Sequence, residues 1–300
     1  MSTVLVVNPS AGKGYAKKIL PQVTSALASG AATVKLQVVE TSSYEDARFH
    51  CNQAVAMGAD SLIVMGGDGM MHLGLNAVAE TGVALGVIPA GRGNDFARGV
   101  GVPISALQAV KLIAAGHTED VDLMKIEGHL AGGAQTRYVG SILSTGFDAR
   151  VNDRVNRMKI NLGQLSYTWA ALAELSIFEP LKYRLVIDGE ELNQTAMFIA
   201  VGNAGYFGGG MQGLPKASIT DGLLDVTIIN PVSRLTLLRL LPRMFGGSYI
   251  KDPAVELRTA KEVIVDGDGL LPMGDGEYMG QVPMRCTVVP GALKLYRAAK

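Results

Sequence analysis

The sequence predicts an α/β domain with a parallel sheet followed by a β-rich antiparallel domain, and three observations carry that expectation. Short apolar runs rich in β-branched residues alternate with segments of helical period through the first part of the chain. Beyond about residue 125, strand-like runs are separated mostly by turns. Glycine-rich loops follow directly on the early strands.

TVLVV (3–7), VKLQVV (34–39), SLIVM (61–65) and ALGVI (84–88) read as strands covered on both faces, as parallel sheets require. Around 15–28, 44–57, 71–80 and 104–115 apolar residues recur at three and four, so this half reads βαβαβαβ with right-handed crossovers. Strand-like runs follow at 137–144, 182–188, 195–202, 223–229, 261–266 and 284–289, with turns such as DGEE, GGGMQG and GDGE between them. HLAGGAQ (129–135) reads as a hairpin turn, and helical stretches are expected at 163–178 and 231–245.

At 300 residues and 48% hydrophobic, the chain has material for two cores, since domains run to about 100–200 residues. Its 27 basic and 27 acidic residues cancel, which argues against a nucleic-acid partner. Cys51 and Cys286 lie in no zinc-type or disulfide pattern, which fits a reducing cytoplasm. MSTVLVVNPS lacks the features of a signal peptide, and no apolar run approaches the roughly 18 residues of a membrane span.

Function is concentrated in the loops. NPSAGKGYA lets backbone N–H groups approach an anion at a helix start through Gly12 and Gly14, though a bland strand-to-helix turn explains it equally well. It is not a Walker A loop, because Gly14 stands where a hydroxyl is needed. In GGDG, Gly66 and Gly67 permit close approach beside the carboxylate of Asp68; a carboxylate next to a phosphate calls for a cation between them, which suits Mg²⁺ and ATP. The alternative is an Asp helix cap between turn glycines. GRGNDF (91–96) fails the dinucleotide fingerprint at its last glycine. DGDGLLPMGDGE (266–277) is not an EF-hand, since Leu270 falls on a ligand position.

NPSAGKG, GGDG, PAGRGNDFARG, GGGMQGLPKASITDGLLDV and GDGEYMGQVPMRCTVVPGALKL, in that order, resemble the diacylglycerol kinase catalytic family, its soluble bacterial and YegS-like lipid kinases above all. The resemblance spans essentially the whole chain. It implies a phosphofructokinase- or NAD-kinase-like α/β domain of residues 1–128 plus about 290–300, and an antiparallel β-sandwich domain of 129–289 for the lipid. It further implies an ATP-dependent lipid kinase, with diacylglycerol as the default acceptor and phosphatidic acid as product.

By match to the family, ATP lies on Asn8, Gly12, Thr41, the segment Gly66, Gly67, Asp68, Gly69, Met70, Met71 and His72, and on Arg92 and Asn94. Asp68, Asp95 and Asp122 match the aspartates that organise water around Mg²⁺, and Ser218, Asp221 and Leu223 match a structural metal site. Thr41 alone would be an ordinary strand-end hydroxyl, Asp122 a cap, and Asp221-Gly222 a β-turn. Glu277 matches the catalytic base, which must reach the attacking hydroxyl within hydrogen-bonding distance, with Asp275 close by. Taken without the family pattern, both are exposed hairpin acids.

The chain departs from the family at GGDGT-x-NE, where it has Met70, His72 and Leu73, and at G-T-x-ND, where it has Arg92. Either Arg92 takes over phosphate while Met70 packs on base or ribose, or nucleotide binding has lapsed and the protein is a lipid- or nucleotide-binding regulator. An NAD-kinase-like enzyme is the rival catalyst. The resemblance also implies peripheral contact with the inner face of a membrane; a homodimer stays open. Arg150, Arg154 and Arg157, beside Val151, Val155 and Met158, form one candidate basic face, or else an ordinary solvated helix. Arg239 and Arg243 lie among leucines that read as core, and Trp169 and Phe178 read as packed side chains.

Overall fold

The structure, a computed structural model, describes residues 2–29, 35–146, 150 and 179–299. The helix expected at 163–178, with Trp169 and Phe178, and the Arg154 and Arg157 face lie outside the described residues. The chain divides into two units: Met1–Leu123 with Ile219–Asp221 and Val289–Lys300, and Met124–Ser218 with Gly222–Val288.

In the first unit strands and helices alternate as the periodicity predicts: β1 (Ser2–Val7), α1 (Ala11–Ala28), β2 (Lys35–Glu40), α2 (Tyr44–Ala56), β3 (Ser61–Gly66), α3 (Asp68–Val78), β4 (Ala84–Pro89), α4 (Asp95–Gly99) and α5 (Ala106–Ala114), of which the short helix α4 is not predicted by it. The strands are parallel in the order β2-β1-β3-β4. Because β1 has β2 on one side and β3 on the other, the order reverses at β1, and ligands of open α/β sheets bind outside the strand ends at such a point. Beyond β4 the sheet is extended by the end of the last strand (β18, Gly280–Tyr296), where Leu295 pairs with Leu85.

Leu5, Val7, Ile63, Met65 and Ile88 form one core with Ile19, Leu20 and Val23 of α1 and Val110 and Ile113 of α5. Against the other face packs α3, close enough that a Cβ on Gly74 would stand 2.8 Å from Val64 Cγ1. Two-sided burial explains why β1, β3 and β4 read as continuous apolar runs rather than alternating ones; β2, expected to be covered on both faces as well, is instead an edge strand exposed along much of its length. Helix α2 starts where Ser43 accepts the Asp46 N–H at 3.1 Å, with Glu45 and Asp46 in the first turn facing the positive end of the helix dipole.

In the second unit, β5 (Thr118–Leu130), which begins in the first, makes an antiparallel pair with β6 (Thr136–Val139) across the HLAGGAQ turn. There follow β7 (Ile142–Gly146), β8 (Leu181–Ile187), β9 (Glu190–Ala196), β10 (Phe198–Gly202), the short pair β11 (Tyr206–Phe207) and β12 (Met211–Gln212), and β13 (Leu224–Ile229). Helix α6 (Arg234–Met244), β14 (Val255–Ala260), β15 (Glu262–Asp266), β16 (Met273–Gly274) and β17 (Glu277–Tyr278) complete it. One antiparallel sheet runs β14-β13-β10-β7-β16-β17; in another, β9, β8, β15 and β18 follow in order. Leu143, Ile199, Val201, Leu224, Val226 and Ile228 of the first sheet meet Leu185, Ile187, Val263, Val265 and Cys286 of the second in one core, which makes the unit a sandwich. On the outer face of the first sheet, Ile142, Phe198 and Ala200 are covered by Leu237, Leu240 and Met244 of α6 and by Tyr249.

Candidate active site

At the ends of β1, β3 and β4 the loops are locked to one another through backbone. Asn8 N–H donates to the Met65 carbonyl at 3.0 Å, and Ala90 N–H to the Gly66 carbonyl at 2.7 Å. Gly12 has φ +62°, and a Cβ there would lie 2.6 Å from the Ala90 carbonyl oxygen. A Cβ on Gly91 would come within 2.3 Å of Gly67 Cα. Glycine is required at both positions because backbone stands where a side chain would be. Gly12, Lys13 and Gly14 all have left-handed backbone, so helical geometry in α1 begins only at Tyr15, where the periodicity places it.

Asp68, the first residue of α3, reaches across to the next loop. Its Oδ1 accepts the Asp95 N–H at 2.6 Å and its Oδ2 the Asn94 N–H at 2.8 Å. Asn94, with φ +53°, closes the GRGN turn in both directions: its Oδ1 accepts the Gly91 N–H and its Nδ2 donates to the Gly91 carbonyl, each at 3.0 Å. A Cβ on Gly93 would meet Asp68 Oδ2 at 2.6 Å and Asp95 Oδ2 at 3.4 Å, so both carboxylates border the bare edge of Gly93. Helix α3 starts at Gly67 without a capping side chain.

This arrangement fits a nucleotide and a magnesium ion in one specific way. The uncapped N-terminus of α3 supplies N–H donors and dipole to an anion. Among the described residues there is no group of three or more His, Cys, Asp or Glu side chains able to hold a metal. Asp68 and Asp95, whose carboxylates both border Gly93, are the residues that would hold a hydrated Mg²⁺, which would supply charge neutralisation beside phosphate. Each Asp68 oxygen accepts one backbone N–H of the neighbouring loop.

Other residues singled out by the sequence have visible local duties. Thr41 is buried, and its hydroxyl donates to the Val7 carbonyl at 3.0 Å. Asn8 Oδ1 accepts the Ser10 N–H at 3.1 Å and its hydroxyl at 2.7 Å. Met70 is buried over Gly66, where a Cβ would meet its Cγ at 2.4 Å. Met71 and His72 are buried as well; Asn76 Nδ2 donates to the His72 carbonyl at 2.9 Å. Gly69 lies in the first turn of α3, and Arg92 is exposed on the neighbouring loop.

Asp122 ties distant segments together. Its N–H donates to the Ile219 carbonyl at 2.8 Å, and its Oδ1 accepts the Gly291 N–H at 2.9 Å. Asp221 belongs with the first unit through the Ile219–Asp221 segment, whereas Ser218 and Leu223 belong with the second. Nothing in the sequence marks Ile219 or Gly291 as partners of Asp122, since the contacts bridge long stretches of chain.

In the second unit, Asp275 and Gly276 form the two-residue turn between β16 and β17, with φ +50° and +87°. Left-handed backbone at both positions is what such a hairpin demands, and Asp-Gly supplies it. The Asp275 carboxylate accepts the Gly140 N–H at 2.9 Å and the Ser141 N–H at 2.8 Å, which clamps the hairpin to the start of β7. Glu277 follows immediately, half-buried on β17. Among the described residues its carboxylate makes no hydrogen bond or ion pair, so it keeps its capacity for a ligand or a proton.

The family of the diacylglycerol kinase catalytic domain matches residues 2–126, and that of the YegS C-terminal NAD kinase β-sandwich-like domain matches 141–297. A diacylglycerol kinase of Mycobacterium tuberculosis is 38% identical, the match covering 97% of this chain and 94% of that one. The chain belongs to the diacylglycerol kinase family, a family of lipid kinases. A protein of Xanthomonas oryzae pv. oryzae named "Probable lipid kinase YegS-like" is 31% identical over 88% of this chain and 87% of its own. A crystal structure of a diacylglycerol kinase from Bacillus anthracis has the same fold, with a TM-score of 0.79 over 99% of this chain and 97% of that one, at 24% identity. Yeast NADH kinase in complex with NADH shares the fold more distantly: TM-score 0.53, 11% identity, and coverage of 100% of this chain and 84% of that one. The family's two parts match the parallel and antiparallel halves read from the sequence.

Proposed function

We propose that the protein is an ATP-dependent kinase that phosphorylates the free hydroxyl of diacylglycerol, giving phosphatidic acid, at the inner face of a membrane. The observation that carries this reading is the cross-loop clamp of Asp68 on the N–H groups of Asn94 and Asp95, which ties two glycine-rich loops around one carboxylate. Gly12, Gly67, Gly69, Asn8 and Thr41 would border the nucleotide, and the N–H groups opening α3 would orient its phosphates. Arg92, exposed and permanently charged, suits the terminal phosphates better than the smaller hydroxyl of family members. Magnesium would be held through water by Asp68 and Asp95, with Asp122 nearby in the family pattern, and supplies charge neutralisation on the phosphates. Ser218, Asp221 and Leu223 remain the proposed ligands of a second, structural ion.

Glu277 is the proposed proton acceptor. Its carboxylate takes the proton from the lipid hydroxyl as that oxygen bonds to the terminal phosphorus and the bridging bond to ADP breaks, so no covalent enzyme intermediate forms. Asp275 positions the hairpin that carries it.

The test is phosphorylation of dispersed diacylglycerol by the purified protein with labelled ATP, compared with NAD and a sphingoid base as acceptors. Label in phosphatidic acid supports the proposal. Transfer to NAD alone, or binding of ATP without transfer to any acceptor, overturns it.

A further inference from the structure

Helix α6 has two apolar faces, and only one is used. Leu237, Leu240 and Met244 are buried against the sandwich. On the other side Leu235 is 69% exposed, Leu238 41% and Phe245, just past the helix, 55%. With Pro242 also exposed, these residues recur at steps of three and four and form one outward stripe. A surface helix ordinarily turns polar residues to solvent, so a second apolar stripe needs a partner.

Charge identifies that partner. In a chain with no net charge, residues 230–251 hold Arg234, Arg239, Arg243 and Lys251 and no acidic residue. Arg243 is committed to the Ser248 carbonyl at 2.9 Å and to Asp252 at 3.5 Å. Arg234 and Arg239, both exposed, form no ion pair among the described residues and flank the stripe. Exposed leucine and phenylalanine between arginines is the composition of a helix lying in the headgroup region of a bilayer, apolar side chains inward and guanidinium groups among phosphates. A protein partner would need a matching acidic and apolar surface; an anionic bilayer offers both chemistries everywhere.

We infer that α6 docks the second unit on an anionic phospholipid surface through Leu235, Leu238, Pro242 and Phe245, with Arg234 and Arg239 in the headgroups. This rests on the lipid-kinase reading for its purpose, and names the surface by which the enzyme meets its substrate. Helix α6 lies away from Glu277 in sequence and is not part of the catalytic set.

The full chain is tested by co-sedimentation with phosphatidylcholine vesicles, with and without phosphatidylglycerol. Wild-type protein binds the anionic vesicles in preference to the neutral ones. Leu235→Asp with Leu238→Asp weakens that binding by roughly tenfold or more, since two apolar side chains leave the bilayer and two charges replace them. Arg234→Gln with Arg239→Gln removes most of the salt dependence while leaving the fold alone, so it decides the matter even if the Leu pair misfolds. Both variants phosphorylate detergent-dispersed short-chain diacylglycerol at the wild-type rate and lose activity only on vesicles. Unchanged vesicle binding in both variants overturns the inference, and so does a dimer in light scattering that the Leu pair dissociates. Wild-type protein that binds vesicles yet phosphorylates no dispersed lipid contradicts the kinase reading and leaves the docking surface standing.

Discussion

Gly67 and Gly91 touch backbone to backbone, and a single methyl on Gly91 would sit 2.3 Å from Gly67 Cα. Neither backbone can yield without moving a strand end. Gly91→Ala is expected to lower stability by about 1–3 kcal/mol and activity by roughly a hundredfold, through displaced phosphate loops. Thermal melting and steady-state kinetics check the two effects. A variant with the wild-type KM for ATP would show that loop spacing does not position the nucleotide.

Met70 and Gly66 are coupled more gently, because the clashing atoms belong to a side chain. Gly66→Ala alone is expected to destabilise the protein, and Met70→Ala alone to cost about 2–5 kcal/mol as a buried methionine lost. In the double variant the new methyl occupies part of the vacated space, so the losses fall short of additive by about 1 kcal/mol or more. A double-mutant cycle in denaturant measures this coupling; additivity would mean that Met70 does not rest on Gly66.

Glu277 and Asp275 are expected to separate cleanly. Glu277→Gln should reduce kcat about 10²–10⁴-fold with an unchanged melting temperature, because its carboxylate holds nothing together among the described residues. Asp275→Ala should do the reverse first: it leaves the Gly140 and Ser141 N–H groups without their acceptor and lowers stability by about 2 kcal/mol or more. Melting curves and kcat measured together tell the two roles apart.

Burial pushes the thiols of Cys51 and Cys286 up to about 12, and burial likewise raises the Tyr249 hydroxyl to about 12. In each case the folded state holds its proton more tightly than the unfolded chain does. The stabilisation is fully present below the unfolded values of 9.0 and 10.0 and is lost as pH rises toward 12. Stability is therefore expected to fall steeply above about pH 9, followed by denaturant titration at a series of pH values. A thiol reagent at pH 8 should modify neither cysteine until the protein is unfolded.

The α/β half was legible because two-sided burial writes itself into continuous apolar runs such as SLIVM and ALGVI, and because the helices between them keep a strict period. The sandwich was less so: β14 and β9, with intermediate burial along much of their length, offer neither a continuous run nor a clean alternation. Gly66, Gly67 and Asp68 stood out as a motif, yet their partners did not. That Asp68 clamps the Asn94 and Asp95 N–H groups, and that Asp275 clamps Gly140 and Ser141, are long-range relationships between a side chain and distant backbone, which carries no residue signature. In α6 the leucines read as core, and two of the five, Leu237 and Leu240, are buried; which two they are depends on where the sheet lies, and period alone cannot say.

The end of β18 lies beside β4: Leu295 pairs with Leu85, Tyr296 hydroxyl meets Ser61 at 2.8 Å, and Glu80 N–H donates to the Ala292 carbonyl at 2.8 Å. The first unit therefore cannot complete its sheet until the segment 289–297, far along the chain from β4, has been made. Until residues 289–297 emerge, β4 presents an open sheet edge, the kind of surface that invites pairing with other nascent chains.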